Sequence, residues 1–122
     1  MNRTTMFLSA AVAALLCVGC NQVASTTKKQ SDALTAVVKA DCDKWTTCGD
    51  IGAGKKYASR TDCETDSRGF WNNQWDVVDC DGKINGDNLS ICTESITQAT
   101  CGFDRSLTTF TRCSKSDVCN GK

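Results

Sequence analysis

Every position from 6 to 18 is apolar or small, and after that the pattern of the chain changes. Residues 21–30 (NQVASTTKKQ) are polar and carry few bulky apolar side chains. Beyond them, apolar positions recur at helical intervals. Leu34, Val37, Val38, Cys42, Trp45 and Cys48 form one stripe, which stops at Gly49, a residue suited to a helix C-terminus. A glycine-rich loop over residues 49–58 follows. A second helix is expected from Ser59, with Asp62 three residues on as a shortened capping box, and with Cys63, Phe70, Trp71, Gln74 and Trp75 at helical spacings. Gly69 lies inside this run and weakens it by about 1 kcal/mol relative to alanine.

Residues 79–86 read as a turn. Asn85 is a suitable N-cap for a third helix, with Ile84 placed to staple against Leu89. Leu89, Cys92, Ile96 and Ala99 make its buried face, and Cys101-Gly102 ends it. Asp104 can cap a fourth helix whose inward positions are Leu107, Phe110 and Cys113, and residues 116–119 form a final turn. The chain has no proline to interrupt these helices and little strand-like alternation. The expected fold is all-α, a small disulfide-stapled bundle of about four short helices.

The apolar run at the start is too short to cross a bilayer of ~30 Å as a helix, which takes about 20 residues. With Arg3 before it and Gly19-Cys20 after it, the segment reads as a signal peptide ending at a lipidation cysteine. Leu16 stands one place further from Cys20 than lipoprotein signals usually set it, because Cys17 intervenes. The expected organisation is therefore a signal peptide over residues 1–19, a lipid-anchored flexible tether over residues 20–30, and a cysteine-rich helical domain over residues 31–122. The membrane is the one partner this reading names, reached through the lipid on Cys20. The expected place is the cell envelope, the outer membrane ahead of the inner, with secretion as the outcome if Cys20 carries no lipid.

Cysteine usage supports export. If Cys17 leaves with the leader and Cys20 is acylated, Cys42, Cys48, Cys63, Cys80, Cys92, Cys101, Cys113 and Cys119 remain, enough for four disulfides in an oxidising compartment. An up-down bundle suggests Cys48 with Cys63 at one end, and Cys80 near Cys113 or Cys119 at the other. Zinc is disfavoured, because the body lacks the close cysteine pairs of structural sites and the chain has no histidine.

Charge narrows the partners. Removal of Arg3 with the leader leaves 13 basic against 14 acidic residues, a net charge of −1 without the basic excess of a nucleic-acid binder. Residues 49–56 nearly spell a phosphate-binding loop, but Lys56 stands where a Ser or Thr is required. They read as a surface loop with solvated lysines. Asp79, Asp81 and Asn85 lie in a stretch resembling a calcium loop. Its first ligand position falls on Val77 and its twelfth on Asn88, which leaves only a weak calcium candidate.

Trp71 and Trp75, four apart on one helix face, suit either a core or a ligand-stacking surface, the core being the commoner use. Without histidine, Ser–His and Cys–His nucleophiles are absent. The carboxylate pairs Asp41/Asp43, Glu64/Asp66 and Asp79/Asp81 read as surface acids. No catalytic residue and no cofactor is expected, and the protein or small-molecule partner stays open.

Several segments resemble a known family. They are Ala40-Asp41-Cys42 to Cys48, the GKKYASR run over residues 54–60 before Cys63, the Ile84, Leu89, Cys92, Ile96, Cys101-Gly102 series, and Ser116-Asp117-Val118-Cys119. Over residues 40–119 the chain is similar to a family of small cysteine-rich bacterial lipoproteins of unknown function. The resemblance implies export, lipidation and disulfides, together with an association with natural-product biosynthesis. It brings no catalytic residues.

Overall fold

A computed structural model describes residues 29–121. Six helices follow in order among them: α1 (Gln30–Thr47), α2 (Arg60–Gln74), α3 (Val77–Cys80), α4 (Gly86–Gln98), α5 (Arg105–Thr111) and α6 (Lys115–Val118). The fold is a small all-α, disulfide-rich one. The four longest helices correspond to the four expected from the apolar pattern. The leader, Cys17, Cys20 and most of the tether lie outside the described residues.

The caps form as the sequence suggests. The Ser59 hydroxyl accepts from the Asp62 N–H at 3.2 Å and donates to the Asp62 carboxylate at 2.7 Å. Asn85 Oδ1 accepts from the Asn88 N–H at 3.1 Å, and Asp104 Oδ1 accepts from the Ser106 N–H at 2.8 Å. Each satisfies a backbone donor that the helix itself leaves open. The N-terminus of α1 is different, since Lys29 supplies no side-chain cap. Asp81, distant in sequence, accepts from the Gln30 N–H at 3.0 Å in its place.

Gln30, the last residue of the expected tether, is the first residue of α1 and is buried. Its amide Nε2 donates to the Trp75 carbonyl at 2.7 Å and to Asn72 Oδ1 at 3.0 Å. The N-terminus of the domain is thereby fastened to the end of α2.

Helix α1 packs against both α2 and α4, which places it at the centre of the bundle. Leu34, Val37 and Val38 of α1 meet Trp71 and Trp75 of the α2 segment and Leu89, Cys92 and Ile96 of α4 in one buried cluster. A smaller cluster gathers Cys42, Trp45, Tyr57 and Cys63, with Ile51 and Phe103 packed against it.

Four disulfides join the elements: Cys42–Cys63, Cys48–Cys101, Cys80–Cys119 and Cys92–Cys113. The Cys80–Cys119 bond is one of the two expected for Cys80. The expected Cys48–Cys63 bond is not formed. Cys63 lies inside α2, facing α1 at Cys42, whereas Cys48 caps α1 about 9 Å further along the axis and reaches the segment after α4.

One expected inward position is also reversed. Leu107 is 63% exposed. Positions two apart on a helix point to nearly opposite sides, and Arg105 takes the inward side of α5, so Leu107 turns outward. Cys113 is buried, and the Phe110 side chain lies outside the described set.

Gly121 lies against the α3–α4 turn. The Gly121 N–H donates to the Lys83 carbonyl at 2.6 Å, and a Cβ at Gly121 would stand 2.5 Å from the Ile84 carbonyl oxygen. Glycine is required there by close backbone approach.

Candidate functional site

The residues singled out in the sequence do not converge on one site. Trp71 and Trp75 are both fully buried, which removes them as a ligand face. Trp71 Nε1 donates to Asp41 Oδ2 at 3.3 Å and Trp75 Nε1 to the Cys113 carbonyl at 2.9 Å, so even their polar edges face inward. The three calcium candidates have separate tasks. Asp79 pairs with Lys115 at 2.6 Å, Asp81 caps α1, and Asn85 caps α4. Among the described residues no group of three or more His, Cys, Asp or Glu side chains is placed to hold a metal ion.

The most elaborate site lies elsewhere, where α1, the glycine-rich loop, α2 and the start of α5 meet. Its origin is Asp41, which sits on the inward stripe of α1 and is fully buried. Asp41 Oδ2 accepts from the Ser67 hydroxyl at 2.6 Å and stands 2.8 Å from Arg105 Nε. A buried carboxylate needs a counter-charge, and Arg105 provides it from α5.

The same guanidinium donates to Asp66 Oδ2 at 2.9 Å and to the Tyr57 hydroxyl at 2.6 Å, and the Tyr57 hydroxyl donates to Asp66 Oδ2 at 2.7 Å. Arg105, Tyr57 and Asp66 thus form a closed triangle resting on Asp41. The loop backbone fixes Tyr57, whose N–H donates to the Asp50 carbonyl at 3.1 Å while its carbonyl accepts from the Gly52 N–H at 2.8 Å. Glycines at 49, 52 and 54 adopt positive φ and let the loop fold back.

Aromatic rings enclose this cluster. Phe103 stacks on Trp45 with centroids 4.8 Å apart, and Tyr57 meets Trp45 edge-on at 5.9 Å. Lys56 Nζ lies 3.6 Å from the Trp45 ring centroid and 5.5 Å from that of Tyr57. Lys56 is therefore not simply solvated, as its loop position suggested. The resulting open crevice has a volume of about 390 Å³ and is walled chiefly by Trp45, Tyr57, Phe70, Phe103 and Arg105. Lys56, Asp66, Asp104 and Ser106 lie at its margin. A larger depression of about 530 Å³ beside Leu34, Arg68 and Asn72 has no aromatic wall.

The charges respond to these surroundings. Burial, then the hydrogen bond to Asp66, pushes the Tyr57 phenol up to about 12. The Tyr57 hydrogen bond, joined by Arg105 and against some burial, holds Asp66 below the usual carboxylate range. Burial opposes the Arg105 charge, but Asp41 and Asp66 outweigh it and raise its pKa. Asp104 is lowered by the Ser106 hydroxyl and N–H, with a contribution from the Lys56 charge.

Helices, disulfides and crevice together define a small all-α, disulfide-rich protein. No helix among the described residues is long and apolar enough to cross a membrane. The chain belongs to a family of unknown function, DUF6184, whose profile matches residues 42–121. The match takes in all eight body cysteines and the entire wall of the crevice, with Asp41 one residue before it. No curated protein and no solved structure matches the chain.

Proposed function

We propose that this is an exported protein, anchored in the cell envelope by a lipid on Cys20, whose role is non-enzymatic binding at the Trp45–Tyr57–Arg105 crevice. The crevice carries the binding part of this reading. It concentrates apolar rings around a few fixed polar groups, the usual composition of a ligand site. Its polar groups are engaged with one another: Arg105 with Asp41, Asp66 and Tyr57, and Ser67 with Asp41. Such a closed network suits recognition better than proton transfer, which needs a group free to exchange its proton with a substrate.

Cysteine parity supports the anchor. The eight body cysteines are consumed by four mutual disulfides, so none is left for Cys20. A secreted form would expose an odd thiol in an oxidising compartment, and acylation removes it. The family resemblance adds natural-product biosynthesis as the setting in which an accessory or binding protein of this kind would act.

Intact-mass analysis of the mature protein tests the anchor. The expected species begins at Cys20, carries acyl chains and has eight oxidised cysteines, and Cys20→Ala loses the acyl mass. An unmodified Cys20 in the wild type would replace the anchored reading with a secreted binding module. Thermal-shift screening tests the binding role, with stabilisation expected in wild type and lost on Trp45→Leu.

A further inference from the structure

A cation lies on the aromatic wall of the crevice. Among the described residues the Lys56 ammonium makes no direct ion pair or hydrogen bond; it rests on the aromatic surface, and its charge acts on Asp66 and Asp104. At 3.6 Å from the Trp45 centroid and 5.5 Å from that of Tyr57, it lies where the negative faces of aromatic rings attract a cation. Trp45 is only 4% exposed, although it walls an open crevice. Lys56 and Phe103 cover it.

Charge balance favours a cation over an anion in that seat. Asp66 and Asp104 line the crevice against Lys56 and Arg105, and Asp41 is buried behind Arg105. Arg105 is committed to Asp41 and Asp66 by ion pairs at 2.8 Å and 2.9 Å. When Lys56 swings out, the two lining carboxylates face a guanidinium already paired with buried Asp41, and the vacated ring face is left with excess negative charge. Lys56 is an exposed residue of the loop over residues 49–58, whereas Tyr57 beside it is pinned by backbone hydrogen bonds. The lysine can leave while the rings stay in place.

We propose that the crevice binds an organic ammonium ion, and that Lys56 is a resident surrogate which the ligand displaces. This rests on the reading of the crevice as a binding site and names what it binds. The ammonium can belong to a lysine side chain of a partner protein or to a free quaternary amine. Both offer a positive charge that can lie on Trp45 and Tyr57 beside Asp66 and Asp104.

The test is a nuclear magnetic resonance titration of the mature chain, following the signals of Trp45, Tyr57 and Phe103. The probes are tetramethylammonium and Nα-acetyl-lysine methylamide, with tert-butanol and Nα-acetyl-norleucine methylamide as neutral counterparts. Saturable shifts are expected with the ammonium probes and not with the neutral ones. The exposed substitution Lys56→Ala should tighten binding about five-fold, because the competing cation is gone. Asp104→Asn retains the helix cap and should weaken binding. The stronger ammonium probe tells a free amine from a partner's lysine, and either result supports the proposal.

Lys56→Ala binding no tighter than wild type overturns the proposal. Neutral probes binding as well as the charged ones overturn it while leaving the crevice a binding site. Silence from all four probes in both wild type and Lys56→Ala overturns it, and a thermal-shift hit lost on Trp45→Leu would then still preserve the binding reading.

Discussion

The two hydrophobic clusters of this domain both centre on tryptophan, but they treat its polar edge differently. In the larger cluster Trp71 and Trp75 are fully buried and both indole N–H groups have acceptors, Asp41 Oδ2 and the Cys113 carbonyl. In the smaller cluster Trp45 Nε1 is buried and finds no hydrogen-bond partner among the described residues, and neither does Asp41 Oδ1 nearby. Around them stand one guanidinium paired with a buried and an exposed carboxylate, and an ammonium laid on a ring. Buried polar groups are nearly always paired, so two orphans close together make this cluster the candidate site. The larger cluster is organised as a core, and the smaller one as a site.

The comparison is broken most severely by truncating the larger cluster. Trp71→Ala should cost about 4 kcal/mol, through the cavity it opens in a core already closed on all sides. The loss of its hydrogen bond to Asp41 deepens the effect. Trp45→Ala, at the wall of an open crevice, should cost clearly less, because solvent can enter the space. Urea denaturation of both variants measures the difference, and equal costs would erase the distinction between core and site.

Next in size is the disulfide that closes the crevice end. Five of the eight paired cysteines (Cys42, Cys63, Cys80, Cys92 and Cys113) are fully buried, whereas Cys101 is exposed and Cys48 half-buried. Mild reductant should therefore open Cys48–Cys101 before the other three bonds. That bond spans a sequence separation of 53 residues, and its loss should cost about 4 kcal/mol on chain entropy, or less where native strain is relieved. Alkylation followed by peptide mass mapping reads the order. Earlier release of Cys42–Cys63 or Cys92–Cys113 would contradict the exposure argument.

The buried charge gives the third effect. Arg105→Met leaves Asp41, which has no exposure to solvent, without its counter-charge, and should cost about 3 kcal/mol. Asp41→Leu should also be costly, since Arg105 keeps Asp66 and Tyr57 but the buried Ser67 hydroxyl and Trp71 N–H lose their acceptor. The double variant should cost less than the two single losses added together, because no unpaired charge is left buried, although Ser67 and Trp71 still lack their acceptor. Additive losses in the double-mutant cycle would show that the pair is not coupled.

The core was legible in the sequence and the site was not, for reasons visible in single residues. Leu34, Val37, Val38, Trp71, Leu89 and Ile96 announce themselves by helical spacing, and all are buried. Ser59, Asn85 and Asp104 are caps that act over two or three residues, so local pattern suffices to place them. Asp41 stands two residues from Asp43, and such an acidic pair suggests the surface, whereas Asp41 is fully buried. Its better signal was its place on the stripe between Val38 and Trp45, where a carboxylate implies a buried partner. Arg105 offered a fainter clue, a cation in the first turn of a helix, where the dipole favours an acid. Its partner lies far away in sequence, and only folding brings the two together. The Cys48–Cys63 expectation failed similarly, since proximity across a loop says nothing of which face each cysteine occupies.

The smallest effect is also the one confined most cleanly to the site. The chain has a single tyrosine, so ultraviolet titration of tyrosinate reports Tyr57 alone. Its pKa is about 12 in the folded protein, against about 10 for the free side chain. Folding therefore favours the neutral phenol. The stability this contributes is fully present below about pH 10 and is lost as pH rises from about 10 towards 12. Asp66→Asn should lower the midpoint only part of the way to 10, because burial is the larger cause and the hydrogen bond to Asp66 the second. A midpoint near 10 in wild type, while helical circular dichroism stays intact, would mean that the crevice end opens while the Trp71–Trp75 core holds. The two clusters would then be separate units of stability as well as separate in their chemistry.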